Sequence, residues 1–290
     1  MFIDFLYETY CYQYPKLIVV MFILWLWFLC TKVECIVDFG WVLNHFVIGV
    51  SLAVQYYYRV NYRGWVELGI LCLWFLLLGG MLFFRVLSGY VDKRYQDLAS
   101  KSQNKNLYFL FQYQLQAFLI TITAAPLYFV FRDYTEEKNE VRWTFIAGGS
   151  LSVIGIILQS IADAQLRRYK AKKAEQKKIK DGVTGEQNNQ YQALPDPSSL
   201  GEDPRFPGVL KSGLWRKSRH PNLFFELVTW TGFFIAGLND FTISWLGLIG
   251  PLFLFFVMNN LTIPITERNM AKSRPYWEEY AKETNKFIPF

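Results

Sequence analysis

Arg216, Lys217, Arg219, His220 and Asn222 crowd seven positions within the stretch GLWRKSRHPNLFFE, residues 213–226, with Pro221 among them. Cations massed where an apolar run begins suit an anion, and a phosphorylated ligand is the natural candidate. Proline fits the first turn of a helix and disfavours helix just before it, so a helix should start at Pro221. Its free N–H groups and dipole favour negative charge. A second set lies in QSIADAQLRRYK, residues 159–170, where Gln159 and Asp163 are spaced i,i+4 and are followed by Arg167 and Lys170. That spacing lays an amide, an acid and two cations along one helix face. Carboxylate and amide can hold ribose hydroxyls or base edges, and the cations phosphates. A third set is Asp38 and His45, seven apart on one stripe with Trp41 between them. It admits a proton relay, a lipid head-group site or a plain interhelical hydrogen-bond pair.

The elements that must position these groups are apolar. Of 290 residues, 52% are hydrophobic and 19% aromatic, gathered in long blocks. Seven blocks approach the roughly 17–25 residues needed to cross a bilayer: about 16–32, 36–58, 66–87, 107–131, 143–163, 223–239 and 243–263. The expected fold is therefore all-α, a polytopic membrane bundle of about seven transmembrane helices in a single integral domain. Residues 1–15 hold Asp4 and Glu8 and no Lys or Arg, so neither a secretory signal nor a mitochondrial presequence fits, and the N-terminus reads as uncleaved. With seven spans, 24 of the 30 cations fall on one side of the membrane and six on the other. The basic side should face the cytoplasm, or the matrix in a mitochondrion. The net charge of +6 is thus a topology signal, and nucleic acid is not an expected partner. Four cysteines without a CxxC pair, two histidines and no HExxH leave no expected metal site.

Beyond the spans, residues 164–185 read as a helix continuing out of the membrane, and 186–208 as a polar surface loop or partly disordered segment. Together, 171–212 form a polar insertion whose cations suit anionic membrane lipid. Residues 264–290 are too polar for a membrane, have helical spacing, and should fold back as a C-terminal cap.

Five stretches carry a resemblance: VDFGW at 37–41, LGGMLFFRVLSGYVDKRYQDL at 78–98, SIADAQLRRYK at 160–170, GLWRKSRHPNLFFE, and the C-terminal IPITERNMAKSRPYWEEYAKETNKFIPF. The chain resembles the steroid 5-alpha-reductase-like membrane proteins, particularly their uncharacterised DUF1295 branch. The resemblance implies a seven-helix bundle that takes NADPH from the cytoplasmic side. Its chemistry would be reduction of a carbon–carbon double bond conjugated to a carbonyl in a hydrophobic, steroid- or lipid-like substrate. It puts Gln159, Asp163, Arg167, Lys170, Arg219, His220, Asn222 and Glu226 in the cofactor site. Hydride addition at the β-carbon builds charge on the carbonyl oxygen, which a nearby acid must stabilise. Asp38, His45, Tyr90 and Glu267 are the candidates. The endoplasmic reticulum is the expected membrane, with the mitochondrial inner membrane as the alternative.

The chain also departs from its relatives' pattern. Leu223 stands where they often have tyrosine, Phe225 where they have glycine, Leu77 where they carry arginine, and Gln159 where the nearer ones have glutamate. Phenylalanine removes the close backbone approach that glycine permits. Two other readings follow: a non-catalytic accessory subunit docked to other membrane subunits, and an S-adenosylmethionine-dependent methyltransferase of the isoprenylcysteine type.

Overall fold

A computed structural model describes residues 2–58, 60–90, 92, 95, 99–100, 102–132, 142–183, 201–238 and 243–289, with side chains of the long helix after 142 described to Lys178. Among these residues there is no strand, only two isolated bridges. The chain divides into two compact units, one of Met1–Ile156 with Leu227–Ile265, the other of Ile157–Glu226 with Thr266–Phe290.

The first unit begins with α1, Phe2–Thr31, a helix of 30 residues. It starts fourteen residues before the expected span because its polar N-terminus is satisfied internally. Glu8 accepts from Gln13 Nε2 and Gln55 Nε2, each at 2.7 Å, and from the Tyr56 hydroxyl at 3.2 Å. A π-helical turn at Glu8–Gln13 leads into Pro15, whose ring cannot supply the next backbone donor. Lys32, at φ +57°, closes α1 with a left-handed cap. Helices α2, Ile36–Gln55, and α4, Lys105–Thr123, pack on α1, and α3, Tyr62–Leu87, packs on α2. Helix α5, Ala125–Phe131, leaves α4 at 46°. Pro126 lacks the N–H that would continue the ladder, which accounts for the bend.

The expected helix leaving the membrane is present as α6, Trp143–Val183, 41 residues. Helix α7 runs Pro221–Ala236 and α8 Ser244–Ala271, and α9 covers Trp277–Glu283. The described residues hold five to six candidate spans, in keeping with the expected polytopic bundle of about seven. Among the described residues, five helices (α1, α2, α3, α6 and α8) are long and apolar enough to cross a membrane, six if the bent α4–α5 pair counts as one span. The remaining block, 223–239, forms the 16-residue α7. At 1.5 Å per residue that is about 24 Å, short of the ~30 Å hydrocarbon layer.

Within the first unit, α6 and α7 cross at small residues. A Cβ added at Gly232 would lie 2.6 Å from the Gly148 carbonyl oxygen and 2.5 Å from the Ser152 nitrogen, so backbone meets backbone there. Ser152 Oγ also donates to the Thr229 carbonyl at 3.0 Å. Such small-residue crossings bring membrane helices together where hydrophobic driving force is weak.

The second unit has its own small cores. Ala162 and Tyr169 pack with Leu210 and Trp215, and Phe206 and Val209 with Trp277 and Tyr280. The expected surface loop lies outside the described residues from 186 to 200. From 201 onwards it is ordered, because Phe206, Val209 and Leu210 are buried and Glu202 is held by the Tyr169 hydroxyl and the Gly208 N–H.

Gly232→Val should lower the melting temperature in detergent by the equivalent of about 1–3 kcal/mol of overpacking. Ser152→Ala, which removes one hydrogen bond and no backbone contact, should cost only about 1 kcal/mol. Equal effects from the two would count against a crossing set by backbone approach.

Candidate functional site

Seven of the polar residues singled out in sequence meet in the second unit. Helix α6 presents Gln159 and Asp163 on its buried face, one turn apart. Helix α7 presents Asn222 and Glu226, also one turn apart, just after its starting proline. They pair as two rungs. Asn222 Nδ2 donates to Asp163 Oδ1 at 3.0 Å, and Gln159 Nε2 donates to Glu226 Oε2. Gln159, Asp163 and Glu226 are each at most 9% exposed. Each rung joins an acid to an amide.

The segment before α7 is fixed in place by backbone. Trp215 Nε1 donates to the Ala162 carbonyl at 2.9 Å, and Gln165 Oε1 accepts from Leu214 N at 3.1 Å. Ser218 pairs with Asn285 in a parallel bridge. Around it, Arg219 N donates to Asn285 O at 2.9 Å and Asn285 N to Lys217 O at 3.1 Å. Ser218 Oγ donates to the Phe287 carbonyl at 2.8 Å and accepts from His220 N at 3.1 Å. The sequence signalled none of these partners, because a backbone carbonyl can be supplied by any residue.

Arg219 and His220 converge on Glu267. Arg219 Nε lies 2.7 Å from Glu267 Oε1 and His220 Nε2 3.0 Å from the same oxygen. Arg219 Nη1 donates to the carbonyls of Ala281, at 2.6 Å, and Thr284, so the guanidinium also caps the C-terminal end of α9. The Arg219 side chain is only 9% exposed. Its donors are thus engaged within the protein, and the expected anion-binding character rests on Arg167, Lys170, Arg216 and Lys217, all exposed.

The other candidates belong to the first unit. Asp38 accepts from the Tyr95 hydroxyl. His45 is completely buried, with Nδ1 2.8 Å from the Trp41 carbonyl and Nε2 2.8 Å from Thr123 Oγ1. Since that carbonyl only accepts, Nδ1 carries a hydrogen. The two residues stand about 10 Å apart along the helix axis, and each has its own partner on another element or turn. Tyr90 is exposed beyond α3, with the Arg85 guanidinium 4.5 Å above its ring. Glu67 was missed in the sequence. It is the sole acid within Tyr62–Leu87, a span-length block, and that solitude was the available signal.

Fold and site together define an all-helical integral membrane protein that also carries a compact polar unit. A family model described as "Protein of unknown function (DUF1295)" matches residues 24–286, and the chain belongs to that family. No curated protein and no solved structure matches it.

Two outcomes test this geometry. Glu267→Ala leaves Arg219 a buried, half-paired cation, and should cost roughly 3 kcal/mol of stability, whereas Glu267→Gln, which keeps an acceptor, should cost less. Separately, Arg205 bridges Asp203 at 2.8 Å and Glu283 at 2.7 Å, with Lys211 3.0 Å from Glu283. The Arg205 guanidinium beside Asp203 holds that carboxyl down at about 2, below its ordinary 3.8. A depressed acid stabilises the fold above its unfolded value and loses that contribution as pH falls through the folded one. Amide exchange in 201–212 should therefore accelerate between about pH 4 and 2, while exchange in 36–55 stays slow.

Proposed function

We propose that this chain is an NADPH-dependent reductase that reduces a carbon–carbon double bond conjugated to a carbonyl in a hydrophobic, steroid- or lipid-like substrate. The pair of buried acid–amide rungs supports this reading most directly. Asp163 and Glu226 supply acceptors for ribose hydroxyls, Asn222 and Gln159 supply both donors and acceptors, and Arg167 and Lys170 follow on the same helix for phosphates. That donor set fits a dinucleotide phosphate. When bound, the nicotinamide would supply the hydride. The chain's own residues then have three tasks. The rungs hold the nucleotide end, and Glu267 positions His220 and Arg219. An acid must also face the developing enolate. Asp38, His45 and Tyr90 remain candidates for it. Apolar spans suit a substrate drawn from the bilayer, with the endoplasmic reticulum as the proposed membrane and the mitochondrial inner membrane as its alternative.

A second reading, a reductase-like accessory subunit of a membrane complex, has its own support. The rung side chains bond to one another and Arg219 is consumed by Glu267 and two carbonyls, which is what a purely structural knot requires. Phe225, standing where the resemblance leads one to expect glycine, is a buried core residue.

The test is thermal melting of the purified chain with and without NADPH. The reductase reading expects stabilisation by NADPH. It also expects about tenfold or greater weakening of binding in Asp163→Ala, the loss of a charge-assisted hydrogen bond. A wild-type protein that ignores NADPH yet retains fixed stoichiometry with other membrane proteins would establish the accessory reading instead. Stabilisation by S-adenosylmethionine alone would point to methyl transfer.

A further inference from the structure

Helix α3 buries a carboxyl group in surroundings that cannot support its charge. Glu67 is 2% exposed and lies one and a half turns into α3, whose most apolar 18-residue window has a mean hydropathy of 2.3. Neither Oε1 nor Oε2 has a hydrogen-bond partner among the described residues. The carboxyl sits against the backbone of α6, where a Cβ added to Gly149 would fall 2.9 Å from Oε1. Gly149 thus supplies the room that Glu67 occupies, and Ile70, 3.4 Å from the same point, closes the crevice with hydrocarbon.

The charged groups around this crevice are few. On α3 itself, Arg63 lies one turn before Glu67 and is buried, and it does not bond to the carboxyl. The stretch of α6 in the first unit, Trp143–Ile156, contains no ionisable side chain, and Arg142 precedes it. Helix α5 contributes only Tyr128, whose hydroxyl takes the Arg132 guanidinium. Arg132 in turn pairs with Asp4 at 3.6 Å. Helix α2 carries Asp38, bonded to Tyr95, and His45, whose nitrogens face the Trp41 carbonyl and Thr123. No cation is bonded to Glu67. An ionised carboxylate left unpaired in such a place costs several kcal/mol, and taking up a proton removes that cost.

We propose that Glu67 is an intramembrane proton-binding site, holding its ligand as a neutral carboxylic acid in the Gly149 crevice between α3 and α6. The site is independent of the nucleotide reading, since no residue of the rungs takes part in it. Proton release would leave a carboxylate that the crevice cannot solvate, so ionisation must drive the side chain out of it. Protonation of Glu67 is thereby tied to the packing of α3 against α6.

A hydrophobic carbodiimide tests this on the full-length protein in detergent or lipid nanodiscs. A protonated carboxyl in apolar surroundings, reached by a small apolar reagent as the helices fluctuate, adds across the N=C=N group, giving a stable N-acylurea whose mass identifies the residue. The expected result is one dicyclohexylcarbodiimide adduct on the peptide containing Glu67, none with a water-soluble carbodiimide, and none in Glu67→Gln. Labelling of the wild type should fall by about tenfold per pH unit above its midpoint, following the protonated fraction. A second readout on unlabelled protein is the infrared band of a protonated carboxylic acid, which should vanish in Glu67→Gln. Absence of both adduct and band from folded wild-type protein would overturn the proposal, as would labelling independent of pH. Protection by sodium or potassium at fixed pH would overturn it in favour of a metal-cation site.

Discussion

One guanidinium organises the polar unit. Arg219 reaches Glu267 on α8 and the last carbonyls of α9, while its own backbone N–H is given to Asn285. A half-buried helix end leaves carbonyls without partners, and a cation there answers both their hydrogen-bonding need and their partial charge. Glu267 then prevents the cation itself from being a burden. It holds His220 at the N-terminal boundary of α7 in the same stroke. Segments almost fifty to more than sixty residues apart in sequence are thus drawn to one atom cluster. Removing Glu267 would leave Arg219 half-paired and His220 Nε2 without its acceptor, so the members of the cluster are energetically coupled.

The first unit obeys the same accounting under harsher terms. Lipid offers backbone and side chains no hydrogen bonds, so each buried polar group must be met from within. Glu8 is met by two amides and a phenol, Asp38 by Tyr95, and His45 by a carbonyl and Thr123. Each solution uses residues from more than one helix or turn, which ties helices together as well as neutralising the intruder. Among the described residues, the Tyr113 hydroxyl and the indole N–H groups of Trp74 and Trp230 are buried without partners, and Glu67 is the buried carboxyl with neither oxygen bonded. Its neighbour at the critical point is a glycine, which offers space and nothing else.

Much of this was legible beforehand, and the limits of legibility have physical causes. The i,i+4 spacing of Gln159 and Asp163 located the α6 face, and the His-Pro step located the start of α7. Both depend on local geometry alone. The pairing of Asp163 with Asn222 and of Gln159 with Glu226 needed a partner chosen across some sixty residues, which spacing cannot supply. The block expected over 223–239 contributes the 16-residue α7: composition reports how greasy a segment is, and the helix terminus at Pro221 determines how far it reaches. The structured part of the 201–212 segment was hidden because its anchors, Phe206, Val209 and Leu210, are isolated among polar residues and show no period.

The sign of charge in the rungs constrains any nucleotide they hold. Asp163 and Glu226 each face an amide across their rung. A phosphate brought to the rungs would meet two buried carboxyl groups, and any ionised one would repel it at close range in a poorly screened site. Uncharged hydroxyl and base edges meet no such penalty and gain charge-assisted hydrogen bonds. Under the reductase reading, therefore, the sugar and base belong at the rungs. The phosphates belong further along α6, where Arg167 and Lys170 are exposed. Arg219, conspicuous in the sequence as a phosphate ligand, is the least suited of the cations to that task, because moving it would uncap α9 and strand Glu267 and His220 together.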